Sequence, residues 1–501
     1  MMNPKRMTWA LACWFSFLLP GMMPVGAQLR PEAESWGLAD VVCMACQSSP
    51  DAQAARHTFR SAYWDYRSYR ANYLPSLTLT SNPGLDRAIN EVTMDDGSVR
   101  FVEQNYLNTD LSLSLQQNIA WTGGTLSLQT SLQRMDLLSD KTFSWKSVPV
   151  NVAYSQSLFG YNSLKWNRRI YPLRYEEARR AYLETLELVA ATAVDKFFAY
   201  VLAQSDYHTA CQNYAQADTL YRFAQGRYRI GTTTENEMLQ LEINRLNEET
   251  NRMDARIAMK ECALDLRSYL GLSDGDSLPD IRVSDELPDV VVHEGEALQW
   301  ARVHSPDITS LQRRRVEAES NVAQAKANAG LKANLYLRFG LTQTSDRFSE
   351  VYRDPSQQQA VSVGITLPIL DWGRGRGQVR VARSQRDLVE TQVEQSLTDF
   401  DQNVRKLVGQ FNLQAMRVRV AARTDSTALR RSEVARRLYL LGRSSVLDLN
   451  ASIEEKDAAR RSYLNALYTY WSLYYTLRSL TLYDFRAGRP LQADYEGLVR
   501  Q

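Results

Sequence analysis

From Leu183 onward the apolar positions fall three and four residues apart: Leu183, Leu186, Ala190, Ala193, Phe197 and Tyr200, then Tyr207, Cys211, Tyr214, Tyr221 and Tyr228. Gln204, Asp218 and Gln225 interrupt the series. A mean spacing of about 3.5 is the heptad of helices packed side by side. Val389, Val393, Leu397, Phe400, Val404, Leu407 and Phe411 repeat it later in the chain. No proline occurs between Leu173 and Pro279, or between Pro368 and Pro490. Each of these stretches has one break, at Gly231-Thr232-Thr233-Thr234 and at Gly442-Arg443-Ser444-Ser445. A glycine that closes one helix, followed by hydroxyl residues that cap the next, is a helical-hairpin turn. Each stretch therefore reads as two helices, the first about 60 residues or ~90 Å long.

Between the helical stretches the period changes to two. Leu335, Leu337, Phe339 and Leu341 alternate with Tyr336, Arg338, Gly340 and Thr342, and Val361, Val363, Ile365 and Leu367 alternate with Ser362, Gly364 and Thr366. Earlier, Leu77 and Leu79 alternate with Ser76, Thr78 and Thr80, and Val148, Val150, Val152 and Tyr154 with Asn151, Ala153 and Ser155. Segments of about ten residues with one apolar and one polar face fit strands that cross a membrane, and a soluble sandwich gives the same pattern. Leu111, Leu113 and Leu115 alternate with serines, and after Trp121-Thr122-Gly123-Gly124 the pattern resumes with Leu126 and Leu128. This predicts a further hairpin at 106–135 with a tight turn, and six strands in place of four. The stretches 81–105, 136–147 and 343–359 read as long loops at the opposite end from Trp121, which suits an interfacial belt. Neither four nor six strands can close a membrane barrel, and an open edge in lipid is prohibitive, so the chain is expected to share one barrel with further copies.

The two kinds of segment recur together. Gln47-Ser48-Ser49-Pro50-Asp51 aligns with His304-Ser305-Pro306-Asp307, Gln156-Ser157-Leu158-Phe159 with Thr366-Leu367-Pro368-Ile369-Leu370, and Tyr228-Arg229-Ile230-Gly231 with Tyr439-Leu440-Leu441-Gly442. The offset between copies drops once along the chain. One tandem duplication, plus an insertion of about 45 residues in the first copy, accounts for this. The expected division is a signal at 1–27, a first repeat at 28–272 with its tip at Gly231, and a linker at 273–293. A second repeat at 294–482 follows, with strands at 333–342 and 360–369 and its tip at Gly442, and then a tail at 483–501.

The first residues read as an export signal: Lys5 and Arg6, an apolar run from Met7 to Leu19, Pro20-Gly21, and the small residues Val25-Gly26-Ala27 before a mature start at Gln28. That run is too short to span a bilayer. Cys13 sits inside it, with Ala10 where a lipidation motif prefers Leu, which argues against lipid attachment. The 59 basic and 57 acidic residues nearly cancel, giving a net charge of +2, which argues against a nucleic-acid binder, whose surface carries a basic stripe. Cys43-Met44-Ala45-Cys46 has the spacing of a redox motif but not its βαβ setting. Gly373-Arg374-Gly375-Arg376-Gly377 after a strand resembles a dinucleotide-binding turn. Its third glycine is one residue early, and the strand before it alternates where a buried parallel strand is apolar throughout. The four histidines, His57, His208, His293 and His304, have no metal-ligand spacing. No enzyme activity, cofactor or metal is expected.

Taken in order, Ser49-Pro50-Asp51 and Ser305-Pro306-Asp307 opening helices, Tyr73-Leu74-Pro75-Ser76-Leu77 entering a strand, Gln156-Ser157-Leu158-Phe159, Leu367-Pro368-Ile369-Leu370-Asp371-Trp372-Gly373 and the paired Tyr-x-x-Gly tips resemble the TolC family of outer-membrane efflux proteins. The resemblance covers essentially all of the expected mature chain. It implies an α+β membrane protein: a homotrimer whose β-barrel in the outer membrane continues into a periplasmic α-helical coiled-coil tunnel, with two tandem repeats per chain. It also implies an exit channel for drugs, metals or other small molecules, working with a periplasmic adaptor protein and an inner-membrane pump driven by protons or ATP. A duct for type I protein secretion, and a periplasmic coiled-coil scaffold, stand as alternatives.

In that family the tunnel closes at the hairpin tips through a tyrosine, acidic residues and an arginine. On this chain the resemblance assigns a periplasmic gate to Tyr439, Asp448 and Arg443, with Tyr228 and Glu237 at the same spacing in the first copy. The family's arginine position is Ser444 here, with Arg443 one residue early, and its second acid is Ala451. Acids at a constriction favour cations. Asp448 and Glu237 equally fit first-turn acids that complement a helix dipole. The tips, Gly231, Thr232, Gly442 and Arg443 among them, are expected to meet the adaptor.

Overall fold

The computed structural model describes residues 35–95, 97–138, 141–272, 280–283, 288 and 290–500. The expected export signal at 1–27, Cys13 and the mature start at Gln28 lie outside these residues, as does much of the expected linker at 273–293. The chain runs β1 (Ser35–Trp36), α1 (Leu38–Ser48), α2 (Pro50–Ala71), β2 (Ser76–Ser81), β3 (Gly84–Thr93), β4 (Val99–Ile119), β5 (Gly124–Leu137), β6 (Thr142–Ser157), α3 (Ser163–Arg229) and α4 (Glu235–Tyr269). It continues through β7 (Asp280–Ile281), α5 (Glu294–His304), α6 (Pro306–Ala329), β8 (Lys332–Ser345), β9 (Ser356–Thr366), α7 (Arg374–Leu440), α8 (Val446–Thr481), β10 (Tyr483–Asp484), β11 (Arg489–Pro490) and α9 (Tyr495–Arg500). The order short helix, helix, strands, long helix, helix thus occurs twice.

The Ser-Pro-Asp motifs open α2 and α6. Ser49 caps α2 by accepting from the Ala52 amide at 3.1 Å, and Ser305 caps α6 through the Asp307 amide at 3.2 Å. Proline at the first helical position loses no hydrogen bond there, and the aspartate complements the dipole. The long helices α3 and α7 each have 67 residues, about 100 Å of helix. They exceed the sequence expectation because both start beside the sheet, and α3 continues through Pro172 at the loss of one ladder bond.

The heptad is present, but its buried face is corrected in the lower half of α3. The buried residues there are Ala203, Ala210, Asn213, Ala217, Leu220 and Ala224. The tyrosines at seven-residue spacing stand beside this small-residue seam. Alanine lets helices approach closely, whereas a tyrosine hydroxyl in the seam would need a buried partner. The guanidinium of Arg252 on α4 covers the Tyr214 ring at 4.2 Å, and that of Arg245 covers Tyr221 at 5.7 Å.

Laterally the lower helices lie in the order α4–α3–α8–α7, and nearer the sheet in the order α2–α3–α6–α7. The main core sits midway, where α1 and α5 cross the long helices and bury Phe197, Phe198, Phe411, Leu467, Tyr470 and Leu477. The tail is docked: the Tyr495 ring packs tilted against Phe59 at 5.3 Å, and Arg60 donates to the Leu498 carbonyl at 2.7 Å.

The sheet is six strands wide and antiparallel throughout, in the order β2–β4–β5–β6–β8–β9, with β3 extending the β2 edge along β4. Asn82-Pro83 separates β2 from β3. The stretches read as loops at 81–105 and 136–147 are instead mostly strand. β3 pairs with the first half of β4 as a hairpin that projects beyond β5, which ends at Leu137 opposite Tyr106. Its polar and charged composition hid a ladder satisfied by backbone hydrogen bonds. The strand expected at 333–342 is extended at both ends, the one expected at 360–369 is displaced towards the N-terminus, and β9 ends at Thr366 because Pro368 cannot continue the ladder. Pro149 is accommodated at a bulge in β6, between Ser147 and Asn151.

At the sheet-side end of the core, Arg478 on α8 donates to Glu187 on α3 at 2.9 Å and pairs with Asp484 at 3.4 Å. Burial pushes the Glu187 carboxyl up to about 7 from an ordinary value near 4.5, outweighing the attraction of Arg478. The folded chain therefore holds this proton where the unfolded chain has released it, and stability falls as pH rises from about 4.5 to about 7. Glu187→Gln is expected to flatten that slope in thermal unfolding midpoints measured from pH 4 to 8, relative to the parent chain.

Candidate functional site, an amphipathic sheet and two helical tips

Register places the alternating side chains in continuous rows. Leu77, Leu115, Leu128, Val152 and Phe339 form one row on one face, with Leu79 beside Leu113, Leu337 beside Val361 and Leu335 beside Val363. Leu77 is 65% exposed and Val361 67%, so this face is a contiguous apolar surface far larger than water tolerates. The opposite face carries Thr78, Ser114, Gln129, Asn151, Gly340 and Gln358 in one row.

Aromatic residues mark both ends of the apolar band. Trp121, in the β4–β5 turn, is 85% exposed and Trp372, after β9, 90% exposed, both at the end where the helices attach. At the other end Trp145 packs edge-on against Phe348 at 5.1 Å, and Arg134 covers Trp145 and Phe143. Ten residues of β5 separate Gly124 from Arg134. At ~3.4 Å per residue and a tilt of about 40°, the band is ~25 Å tall, the height of an outer-membrane barrel's apolar girdle. Among the described residues no helix is long and apolar enough to cross a membrane.

The strand-to-helix junction explains the glycines of 373–377. Asp371 accepts from the Gly373 and Gly375 amides at 2.9 and 2.8 Å, and these bonds hold its carboxyl below the usual range. Gly373 has φ +85°, and a Cβ on Gly375 would stand 3.0 Å from that of Ala329 on α6. The turn is a tight joint between β9 and α7.

Both helical tips close in the same way. Gly231 (φ +72°) donates to the Tyr228 carbonyl and Thr232 to that of Arg227, each at 2.9 Å. Gly442 (φ +71°) and Arg443 repeat the pair onto Tyr439 and Leu438. This double bond around a left-handed glycine satisfies the carbonyls at a helix end. Thr234 and Ser445 cap the following helices by accepting from the amides of Glu237 and Asp448.

The site residues read from the sequence divide into two groups. Tyr439 and Glu237 meet: the Tyr439 hydroxyl donates to Glu237 at 3.3 Å, and its ring, 3% exposed, packs with Leu220, Ala224 and Leu241 of the first hairpin. Burial, and then the Glu237 carboxylate, raise the Tyr439 phenol. Glu237 also accepts from Thr233 at 2.5 Å. Asp448 instead turns back to Ser445, accepting its hydroxyl at 2.9 Å in a capping box. Tyr228 is 41% exposed, and Arg443, Gly231, Thr232 and Gly442 are also exposed. Ser444 reaches Asp448 at 3.5 Å.

Sequence reading missed a second feature of these helices. On α4, Leu239, Ile243, Leu246, Met253, Ile257 and Leu264 are exposed at heptad spacing, as are Leu413, Met416, Val420 and Val434 on α7. These are the two flanking helices of the lower layer. The spacing was legible in the α4 segment, but that helix is also rich in charge, which masks a narrow apolar stripe.

A sequence profile of the outer membrane efflux protein family matches residues 114–272 and 297–481. No curated protein sequence matches the chain. Among solved structures, the CmeC outer membrane channel of Campylobacter jejuni superposes with a TM-score of 0.66 at 16% identity, covering 92% of this chain and 88% of that one. The outer membrane protein VceC of Vibrio cholerae gives 0.63 at 15% identity, with 91% and 97% covered. The open state of the MtrE outer membrane channel of Neisseria gonorrhoeae gives 0.60 at 15% identity, with 91% of each chain covered. At these identities the likeness is one of fold.

A double-mutant cycle of Tyr439→Phe and Glu237→Gln tests the contact between the tips. A coupling of about 1 kcal/mol in denaturant midpoints is expected, and additive effects would show that the two side chains do not interact.

Proposed function

We propose that this chain, which belongs to the outer membrane efflux protein family, forms the exit channel of a tripartite pump as a homotrimer. The observation that carries this reading is that the molecule is open at both flanks in every layer. The sheet ends at β2 and β3 on one side and β9 on the other. The lower helices end at α4 and α7, each with an exposed heptad stripe. In lipid, unpaired strand edges cost several kcal/mol per group, so such a sheet is stable only when closed. Joining β9 and α7 of one copy to β2 and α4 of the next closes sheet and helices in the same sense. This is a head-to-tail contact that forms a ring. Burying six stripe residues contributes on the order of 10 kcal/mol per interface.

The apolar face then meets outer-membrane lipid, and the polar face lines the duct. The helices extend it ~100 Å into the periplasm, where the tips at Gly231, Thr232, Gly442 and Arg443 receive a periplasmic adaptor. An inner-membrane pump supplies small molecules such as drugs or metals. At the tips Tyr439 and Glu237 hold the two hairpins of one chain together, while the exposed Tyr228 and Arg443 are available to the neighbouring chain.

The protein is expected to fractionate with the outer membrane and to run as a heat-labile trimer. Ile243→Arg, on the α4 stripe, should abolish the trimer band. A soluble monomer in the periplasm would overturn the reading. Asp448→Ala is expected to raise single-channel conductance in planar bilayers, and unchanged conductance leaves helix capping as its whole role.

A further inference from the structure

We infer that the barrel section of the duct favours anionic solutes, and that Arg338 is the residue that sets this preference. The inference rests on the channel reading above, which makes the polar face of the sheet the wall of the duct.

Arg338 lies on that face in β8, level with Ala153 of β6 and Ala360 of β9. Its guanidinium donates to the Asn151 amide oxygen at 3.2 Å and to that of Gln358 at 3.1 Å. Asn151 is held in turn by Gln129 at 3.5 Å, and Gln129 by Ser112 at 2.8 Å. These partners are neutral. They fix the direction of the charge without cancelling it. Gly340 leaves the room this needs, because a Cβ there would stand 3.0 Å from the Asn151 side-chain oxygen and 2.9 Å from the Val150 carbonyl.

The other charges on this face do not offset Arg338. Asp86, level with Tyr106 and Leu137, is ten residues of β5 or ~34 Å from the level of Arg338. Asp110 and Lys146 flank Gln133 in one register row, two strands apart, and balance each other. That row is six residues of β5 away from Ser127, the β5 residue level with Arg338. Six residues are ~20 Å, more than twice the screening length of about 8 Å at physiological salt. Lys332, on the same face at the foot of β8, has the same sign as Arg338. At the tips Glu237 and Asp448 are hydrogen-bonded by hydroxyls, which do not cancel their charge, but ~100 Å of helix separates them from the sheet, far beyond the screening length. A ring of like charges lining a pore selects the opposite sign. Three copies of Arg338 make such a ring.

The test is the reversal potential of the reconstituted trimer in a potassium chloride gradient. The parent channel should reverse towards the chloride equilibrium potential. Arg338→Gln should shift the reversal towards that of potassium, Arg338→Glu further still, and Arg338→Lys should stay near the parent value. Should the Gln and Glu variants fail to assemble, Asn151→Asp puts a carboxylate against the same guanidinium and should give the same shift. A conducting parent channel whose reversal potential is unmoved by these changes overturns the inference and leaves the channel reading intact. A parent protein that forms no channel overturns both.

Discussion

The organising constraint is that a β-sheet in hydrocarbon has no water to satisfy its edges. Every strand of this sheet is paired laterally except at β2, β3 and β9, and one face is apolar across all six strands. In water that face would drive aggregation, and in lipid the edges would be intolerable for a single copy. The proposed closure with further copies would meet both conditions. The lower helices carry the same requirement in a different chemistry, since their flanks present unpaired apolar stripes rather than unpaired amides. Sheet and helices therefore favour the same ring.

The joints between sheet and helices transmit this requirement. Strands stand about 4.8 Å apart, whereas packed helices need 8–10 Å. Six strands are accordingly served by two long helices and two shorter ones near the sheet, and the β4–β5 hairpin turns back at Trp121 without entering a helix. The Asp371–Gly373–Gly375 joint makes one such exchange within a few residues, through a left-handed glycine and close contact with Ala329. Below the joints, the seam of α3 is built largely from alanine, and two of the tyrosines beside it, Tyr214 and Tyr221, lie under Arg252 and Arg245 of α4.

The sequence carried much of this, and its failures have physical causes. Helical hairpins were legible because Gly231 and Gly442 sit where only a left-handed residue closes the turn. The strands were legible wherever leucine and valine alternate with serine and threonine. β3 was not, because on the projecting hairpin Leu85, Ile89 and Phe101 share their face with Arg87, Glu91 and Glu103, which breaks the apolar alternation. The heptad period on α3 was correct and its face was not: large apolar residues draw the eye to Tyr207, Tyr214 and Tyr221, while the contact surface is built from Ala210, Ala217 and Ala224. At the tips, the resemblance assigned Tyr439, Glu237 and Asp448 to a gate but did not give their partners. That Tyr439 of one hairpin reaches Glu237 of the other depends on how the hairpins dock, which spacing along one helix does not encode.

The difference between the two copies follows from that docking. In a ring of alternating hairpins, each hairpin has one neighbour in its own chain and one in the next. Tyr439 is buried against the first hairpin and so serves the flank within the chain. Tyr228 holds the same place in the first copy, yet its ring is exposed. If both tyrosines faced inward, the intrachain contact would be duplicated and the interchain contact would have none. The proposed trimer would remove the puzzle: the repeat read from the sequence offers two equivalent positions, and the proposed ring would give them different surroundings, one satisfied within the chain and the other on assembly.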